Sequence, residues 1–382
     1  VSPNKAVRRF AVRTWRFSVY TSNVRGTEPV VFVLPGDAEE SDAEYDRRMC
    51  QNLPATGLPL LELPIAGEWP MPGPLSRSRL ARSLTALPDD TVVLIDGTVA
   101  CGVPEIVIPH ARRLRPAILV HRLLADDPAL DPAQAAELDA CERETLRLAG
   151  MVIATGPWLA RQLIDHHDLD PTRVYVATPG TDAAPLATGA DGVSRLLCLA
   201  PMTARHGQDV LIQALSTVDE LAFKCVFAGA MQHDPAYVDE LRWTVERLGL
   251  GSRISLIQPP EDLDLVYDGA DLLVLPSRGG PSGMVVAEAL ARGIPVVTTE
   301  TAGAHDALGM APGGGVPGML VPPNKPSALA TALLRWSLDA GLRHSLRTSA
   351  LARSSVLEEW DVAAGRLTDV LSRLQATPRQ LA

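Results

Sequence analysis

Apolar residues recur along this chain in two alternating rhythms. From residue 29 onward, short, mainly apolar runs appear at 30–34, 59–63, 92–95, 117–120, 151–154 and 173–176. Between them, apolar residues return every three or four positions at 44–53, 75–86, 104–114 and 132–149. A short apolar run bounded by turn residues reads as a buried strand, and the longer spacing reads as an amphipathic helix. Their alternation predicts a parallel sheet with helices on both faces. After Thr178-Pro179-Gly180-Thr181, residues 182–194 are rich in Ala, Gly and Asp and have no period, so they read as an interdomain linker. A second alternation follows. Strands are predicted at 195–199, 222–228, 254–256, 272–275, 296–298 and 320–321. Helices are predicted at 208–215, 235–249, 263–269, 284–292 and 304–308, then 327–340, 342–357 and 362–374. The predicted class is α/β, with two doubly wound parallel-sheet domains at 29–181 and 195–357. Ligands of such sheets sit beyond the C-terminal ends of the strands.

Bulk properties narrow the choice. A chain of 382 residues can bury two cores. No apolar run reaches the ~18 residues of a membrane span. The formal charge of −10 argues against a nucleic-acid partner. Five scattered cysteines without a C-x-x-C pair predict free thiols and a cytoplasmic location. Residues 1–28 stand apart. Lys5, Arg8, Arg9, Arg13, Arg16 and Arg25 oppose Glu28 alone, with Phe10, Trp15, Phe17 and Tyr20 among them. The preferred reading is a poorly ordered leader; the alternative is a basic arm making peripheral contact with an anionic membrane. The continuous apolar core of a secretory signal is missing.

The richest segment is DLLVLPSRGGPSGMVVAEALARGIPVVTT, residues 271–299. It reads as strand, glycine loop, helix, tight turn and strand. Gly279, Gly280 and Gly283 bracket Pro281 and Ser282, and Ser282 is a candidate N-cap. Small residues feeding a helix start at Gly283 and Met284 make an anion site, because free N–H groups and the helix dipole face the ligand. Glu288 is a lone carboxylate among apolar neighbours and needs a partner or a task.

This segment resembles the donor-binding signature of retaining GT-B glycosyltransferases of family 4, the glycosyltransferase group 1 type. Weaker matches run in order along the chain: VVFVLPG, EYDRRM, VLIDG, LVHRLL, VIATGPWLARQLI, VATPGTD, HGQDVLIQAL, DGADLLVLPSR and GMLVPP. The resemblance implies two Rossmann-like domains facing across a cleft, with residues 358–382 packing back on the first. Trp360 is a candidate anchor there, or a plain core tryptophan. It implies a nucleoside diphosphate sugar as donor, an acceptor hydroxyl of unknown identity, and neither cofactor nor metal. Glu288 matches the carboxylate that grips the ribose hydroxyls; the alternative is a Glu satisfied by nearby backbone. The loop with Gly280, Ser282, Gly283 and Met284 matches the diphosphate cradle. His121, at a strand end, matches a histidine near the sugar, and could equally be a hydrogen-bonded structural histidine.

Several positions depart from the signature. Gly280 stands where a sugar-binding Glu belongs. His206, beside Arg205, replaces a Lys that neutralises the leaving diphosphate, and Arg205 could take over as a permanent cation or be a plain turn residue. Ala200 replaces an Arg. Ser41 and Asp42 replace paired glycines in an acidic loop that would repel a diphosphate. Asp96 and Asp306 could touch ligand or cap helices. The functional expectation is a retaining sugar transferase with catalytic His121, Arg205 and His206. The rival is a degenerate GT-B subunit that partners an active glycosyltransferase, because the departures fall on donor contacts. A nucleotide-sugar epimerase fits the spacing less well. No G-x-G-x-x-G, G-x-S-x-G or locally clustered His/Cys set supports dinucleotide, hydrolase or zinc chemistry.

Overall fold

A computed structural model describes residues 28–36, 41–127, 130–218, 220–260, 262–279 and 283–376, without the side chains of Ser41, Asp42 and Ala302. The expectations for the basic N-terminal arm, the acidic loop and its Ser41 and Asp42 side chains, Gly280 and Ser282 lie outside the described residues. The first domain runs β1 (Val30–Pro35), α1 (Ser41–Asn52), β2 (Leu60–Ile65), α2 (Pro74–Ala86), β3 (Val92–Asp96), α3 (Gly97–Cys101), α4 (Pro104–Val107), β4 (Arg115–Val120), α5 (Pro132–Leu148), β5 (Met151–Ala154), α6 (Pro157–His167) and β6 (Val174–Val176). The second runs β7 (Arg195–Leu199), α7 (Gln208–Ser216), β8 (Lys224–Ala228), α8 (Pro235–Arg247), β9 (Ile254–Ile257), α9 (Asp264–Tyr267), β10 (Leu272–Leu275), α10 (Gly283–Ala291), β11 (Val296–Thr299), α11 (Ala302–Leu308), β12 (Gly318–Val321), α12 (Pro326–Leu338) and α13 (Ala340–Ser354). The last helix is α14 (Trp360–Ala376).

Each domain holds one six-stranded, all-parallel sheet. The strand orders are β2-β1-β3-β4-β5-β6 and β12-β11-β10-β7-β8-β9. The second is the Rossmann order and the first the flavodoxin-like order, so the crevices open between β1 and β3 and between β7 and β10. Strands buried on both faces explain the unbroken apolar runs: Val92 to Asp96 and Leu272 to Leu275 are buried throughout. α14 crosses to the first domain, where Trp360, Ala363, Ala364, Leu367 and Leu371 pack with Phe32, Leu94 and Leu119. Fully burying one such leucine contributes about 1.5–3 kcal/mol.

Three segments differ from the sequence reading. The helix expected over 104–114 is broken into α4 and a 3-10 turn, Ile108–His110, because Pro109 cannot donate to a continuing ladder. β2 runs past Pro64, which an edge strand tolerates. The stretch read as a linker is pinned to the second domain from Ala187 onward, where Ala187 N donates to Arg292 O at 2.9 Å. Asp268 accepts from Thr188 N at 3.0 Å, Asp271 from Ala190 N and Gly192 N at 3.0 Å, and Val193 O from the Trp336 indole at 2.8 Å. All five cysteines are free thiols. No described helix is long and apolar enough to cross a membrane.

Candidate active site

The two domains enclose a cavity of about 320 Å³, lined by Tyr45, His121 and Thr155 on one side and Gly283, Met284 and Arg353 on the other. His121 follows the last residue of β4, so the sheet delivers it to the cleft. Its Nε2 lies 3.1 Å from Asp46 Oδ1 and 3.3 Å from Asp96 Oδ2, and all three residues are buried. Two carboxylates on one ring nitrogen require that nitrogen to carry the proton. Asp96 ends β3 and also caps α3, accepting from Thr98 N at 2.7 Å. Burial pushes its carboxyl up, but the hydrogen bond and charge of His121, with the Thr98 donors, hold it below the usual carboxylate range. Tyr45 meets the His121 ring edge-on at 5.2 Å and donates its hydroxyl to Ala177 O at 2.9 Å.

The opposite wall is the first turn of α10. A side chain at Gly283 would come within 2.9 Å of Gly303 O, so only glycine lets these backbones approach. Glu288 sits on the same helix, half-buried, and accepts from the Tyr267 hydroxyl through Oε2 at 2.9 Å. Oε1 takes no hydrogen bond from the described residues. Burial raises the Glu288 carboxyl, while Tyr267 and Arg292 oppose the shift. Arg292 is itself paired with Asp264 and lies over the Tyr267 ring at 4.4 Å. Glu44 and Arg48, on α1 of the other domain, also act on this carboxyl, so Glu288 faces the seam between domains. It is not among the residues lining the cavity.

Arg205 and His206 form a 3-10 turn ahead of α7, at the β7–β10 crevice. Gly207 closes that turn at φ 68°, beneath Pro276 O, where a Cβ would approach to 2.2 Å. Arg205 Nε is 3.4 Å from Gly279 O, a long contact, and Arg205 O accepts from Arg278 N at 2.8 Å. His206 Nδ1 is 2.9 Å from Thr203 Oγ1. Enclosure, then the charges of Arg205 and His233, lower the His206 pKa to about 4, so the ring is neutral near pH 7. Neither residue lines the cavity. The fold therefore groups the candidates in two patches: His121 with Gly283 and Met284, and Arg205 with His206 and Gly279.

Sequence reasoning missed four members. Asp46 lies 75 residues before His121, and no local spacing announces it. Arg278 forms a bidentate pair with Asp209 at 2.8 and 2.5 Å, bracing the β10 loop against α7. Arg353 brings a cation to the cavity wall, and its Nε is buried with no hydrogen-bond partner among the described residues. Tyr267 orients Glu288. Asp306, singled out for ligand contact or capping, caps the other domain: both its oxygens accept from Trp158 N, at 3.0 and 2.9 Å.

Comparison with known proteins gives this geometry a context. Residues 193–339 match the family described as Glycosyl transferases group 1. D-inositol 3-phosphate glycosyltransferase of Salinispora tropica is 31% identical over 270 residues, covering 62% of this chain and 54% of the relative. The enzyme of the same name from Corynebacterium glutamicum is 27% identical over 250 residues, covering 60% and 59%. The chain thus spans a little over half the length of these curated relatives. Among solved structures, sucrose-phosphate synthase from Thermosynechococcus elongatus aligns at TM-score 0.73 and 19% identity over 92% of this chain and 100% of that one. Anabaena HepE, solved with UDP and glucose, aligns at 0.68 and 19% over 90% and 99%. At such identities the likeness shows the fold. With the two sheet orders, it shows the GT-B fold, and within that fold residues 193–339 of the second domain match the group 1 glycosyltransferases.

Proposed function

We propose that the protein transfers a sugar from a nucleoside diphosphate sugar to an acceptor hydroxyl, with retention at the anomeric carbon. The observation that carries this reading is the convergence on one interdomain cavity of His121, from the first sheet, and the α10 N-terminus, from the second. The diphosphate would lie against that helix end, where free N–H groups and the dipole favour negative charge. Arg205 would be the permanent cation at the β7–β10 crevice, since His206 is neutral near pH 7. Glu288 would hold the ribose diol, using the oxygen that Tyr267 leaves open. His121, fixed by Asp46 and Asp96, would orient the sugar. Charge moves onto the departing diphosphate while the sugar becomes oxocarbenium-like, so catalysis is positioning and electrostatic stabilisation. The UDP and glucose in HepE, and the glycosyltransferase names of the relatives, support the donor class.

The test is turnover. The protein is incubated with UDP-, GDP- and ADP-hexoses, with and without polyol acceptors. Released nucleotide is measured, and the product's anomeric configuration is read by NMR. Release of one nucleotide with a retained anomer is expected. A folded protein that releases none of them and co-purifies with another glycosyltransferase would replace this reading with that of a partner subunit.

A further inference from the structure

A second cluster of titratable side chains lies outside the cleft, where α5 meets the last turn of α6. A carboxylate oxygen of Asp139 and one ring nitrogen each of His166 and His167 lie within 4.8 Å of one another. The two imidazoles meet edge to face, centroids 4.7 Å apart. Arg143 holds Asp139 Oδ2 at 2.7 Å, which turns Oδ1 toward His166 Nε2. His167 is fully buried, and its Nε2 lies 3.0 Å from Oε2 of the equally buried Glu142. That contact sets the tautomer: Nε2 donates to the carboxylate and Nδ1 keeps its lone pair. Nδ1 is buried with no hydrogen-bond partner among the described residues. An acceptor stranded in this way is destabilising, and a ligand at Nδ1 would remove that cost. A histidine that donates one ring N–H to a carboxylate and offers the other nitrogen outward is the arrangement metal-binding histidines use.

We propose that Asp139, His166 and His167 form a binding site for a divalent transition metal, zinc by preference, with Glu142 as the positioning residue of His167. Two imidazoles and one carboxylate are zinc's ligand chemistry, whereas magnesium and calcium favour all-oxygen sets. Water would complete the tetrahedron. Metal–ligand bonds of about 2.0–2.2 Å place tetrahedral ligand atoms about 3.4 Å apart, so Asp139 and His166, hydrogen-bonded to each other here, must part to admit the ion. Asp139 and His166 can make that move, because the His166 side chain is 46% exposed and that of Asp139 19%. Bound metal would clasp α5 to α6, the helix whose N-terminus receives Asp306 from the other domain.

The experiment titrates the full chain, stripped of metal with a chelator and dialysed, with zinc chloride by calorimetry. Co²⁺ is then added, and four-coordinate visible bands are sought. One equivalent at micromolar affinity or tighter is expected. His166→Ala and Asp139→Asn should each weaken binding at least about tenfold, and Glu142→Gln about 10–100-fold. The first two substitutions are partly exposed, and an unchanged circular dichroism spectrum checks their folding. No zinc uptake by the wild-type protein, or uptake that survives the Asp139→Asn/His166→Ala double substitution, overturns the proposal.

Discussion

Asp306 joins the two domains through a helix end, and its loss has a predictable size. Its carboxylate accepts from Trp158 N with both oxygens, at 3.0 and 2.9 Å, in the first turn of α6. It therefore acts as an N-cap supplied from the other domain, reinforced by the parallel stacking of Trp158 on His305 with centroids 6.0 Å apart. Removing a capping side chain costs about 0.5–2 kcal/mol. Asp306 is half-buried, so water competes for the same N–H and the middle of that range, about 1 kcal/mol, applies. The contact crosses the interface, so the loss falls on the closed arrangement and leaves the core of each domain intact. In Asp306→Ala, amide exchange at Trp158 should quicken about fivefold, while the β5 amides keep their rates. Gly156→Ala should do the same from the other side, because a Cβ there would sit 2.1 Å from Asp306 Oδ2. Unchanged Trp158 exchange in both variants would refute the cap.

Two further outcomes follow from the second patch. The folded His206 pKa is depressed to about 4, against about 6.5 when unfolded, so folding favours the neutral ring. That contribution is complete above the unfolded value. It is lost as pH falls between the two values, with a slope of at most about 1.4 kcal/mol per unit. Denaturation midpoints across this window should fall less steeply in His206→Gln than in the wild-type protein; equal slopes would remove His206 from the account. Arg205→Gln should weaken nucleoside diphosphate binding about tenfold and leave binding of the bare nucleoside alone, as the loss of one charge-assisted hydrogen bond requires. Equal losses for both ligands, read by calorimetry, would show that Arg205 acts on the fold.

The strands were legible because a parallel strand covered on both faces must be apolar almost throughout, as 92–95 and 272–275 are. Strand order was not legible, since neighbours such as β7 and β10 are paired by packing and not by sequence proximity. The helix expected over 104–114 breaks because Pro109 has no N–H to continue the ladder, a fact that apolar spacing does not show. At the site, His121 could be read because a strand end positions it. Asp46 and Arg278 could not, because each gains its role from a partner brought close only by the fold. The same holds for Asp139 and His166, which are 27 residues apart and meet across two helices.

Calorimetry with UDP, GDP and ADP, on the wild-type protein and on Glu288→Ala, decides whether the cleft holds a nucleotide through Glu288. One of the three should bind. The substitution should weaken this binding about 10–100-fold, the worth of one charge-assisted hydrogen bond to the ribose, with an unchanged circular dichroism spectrum. A folded wild-type protein that binds none of them, or equal affinity in Glu288→Ala, would contradict this reading.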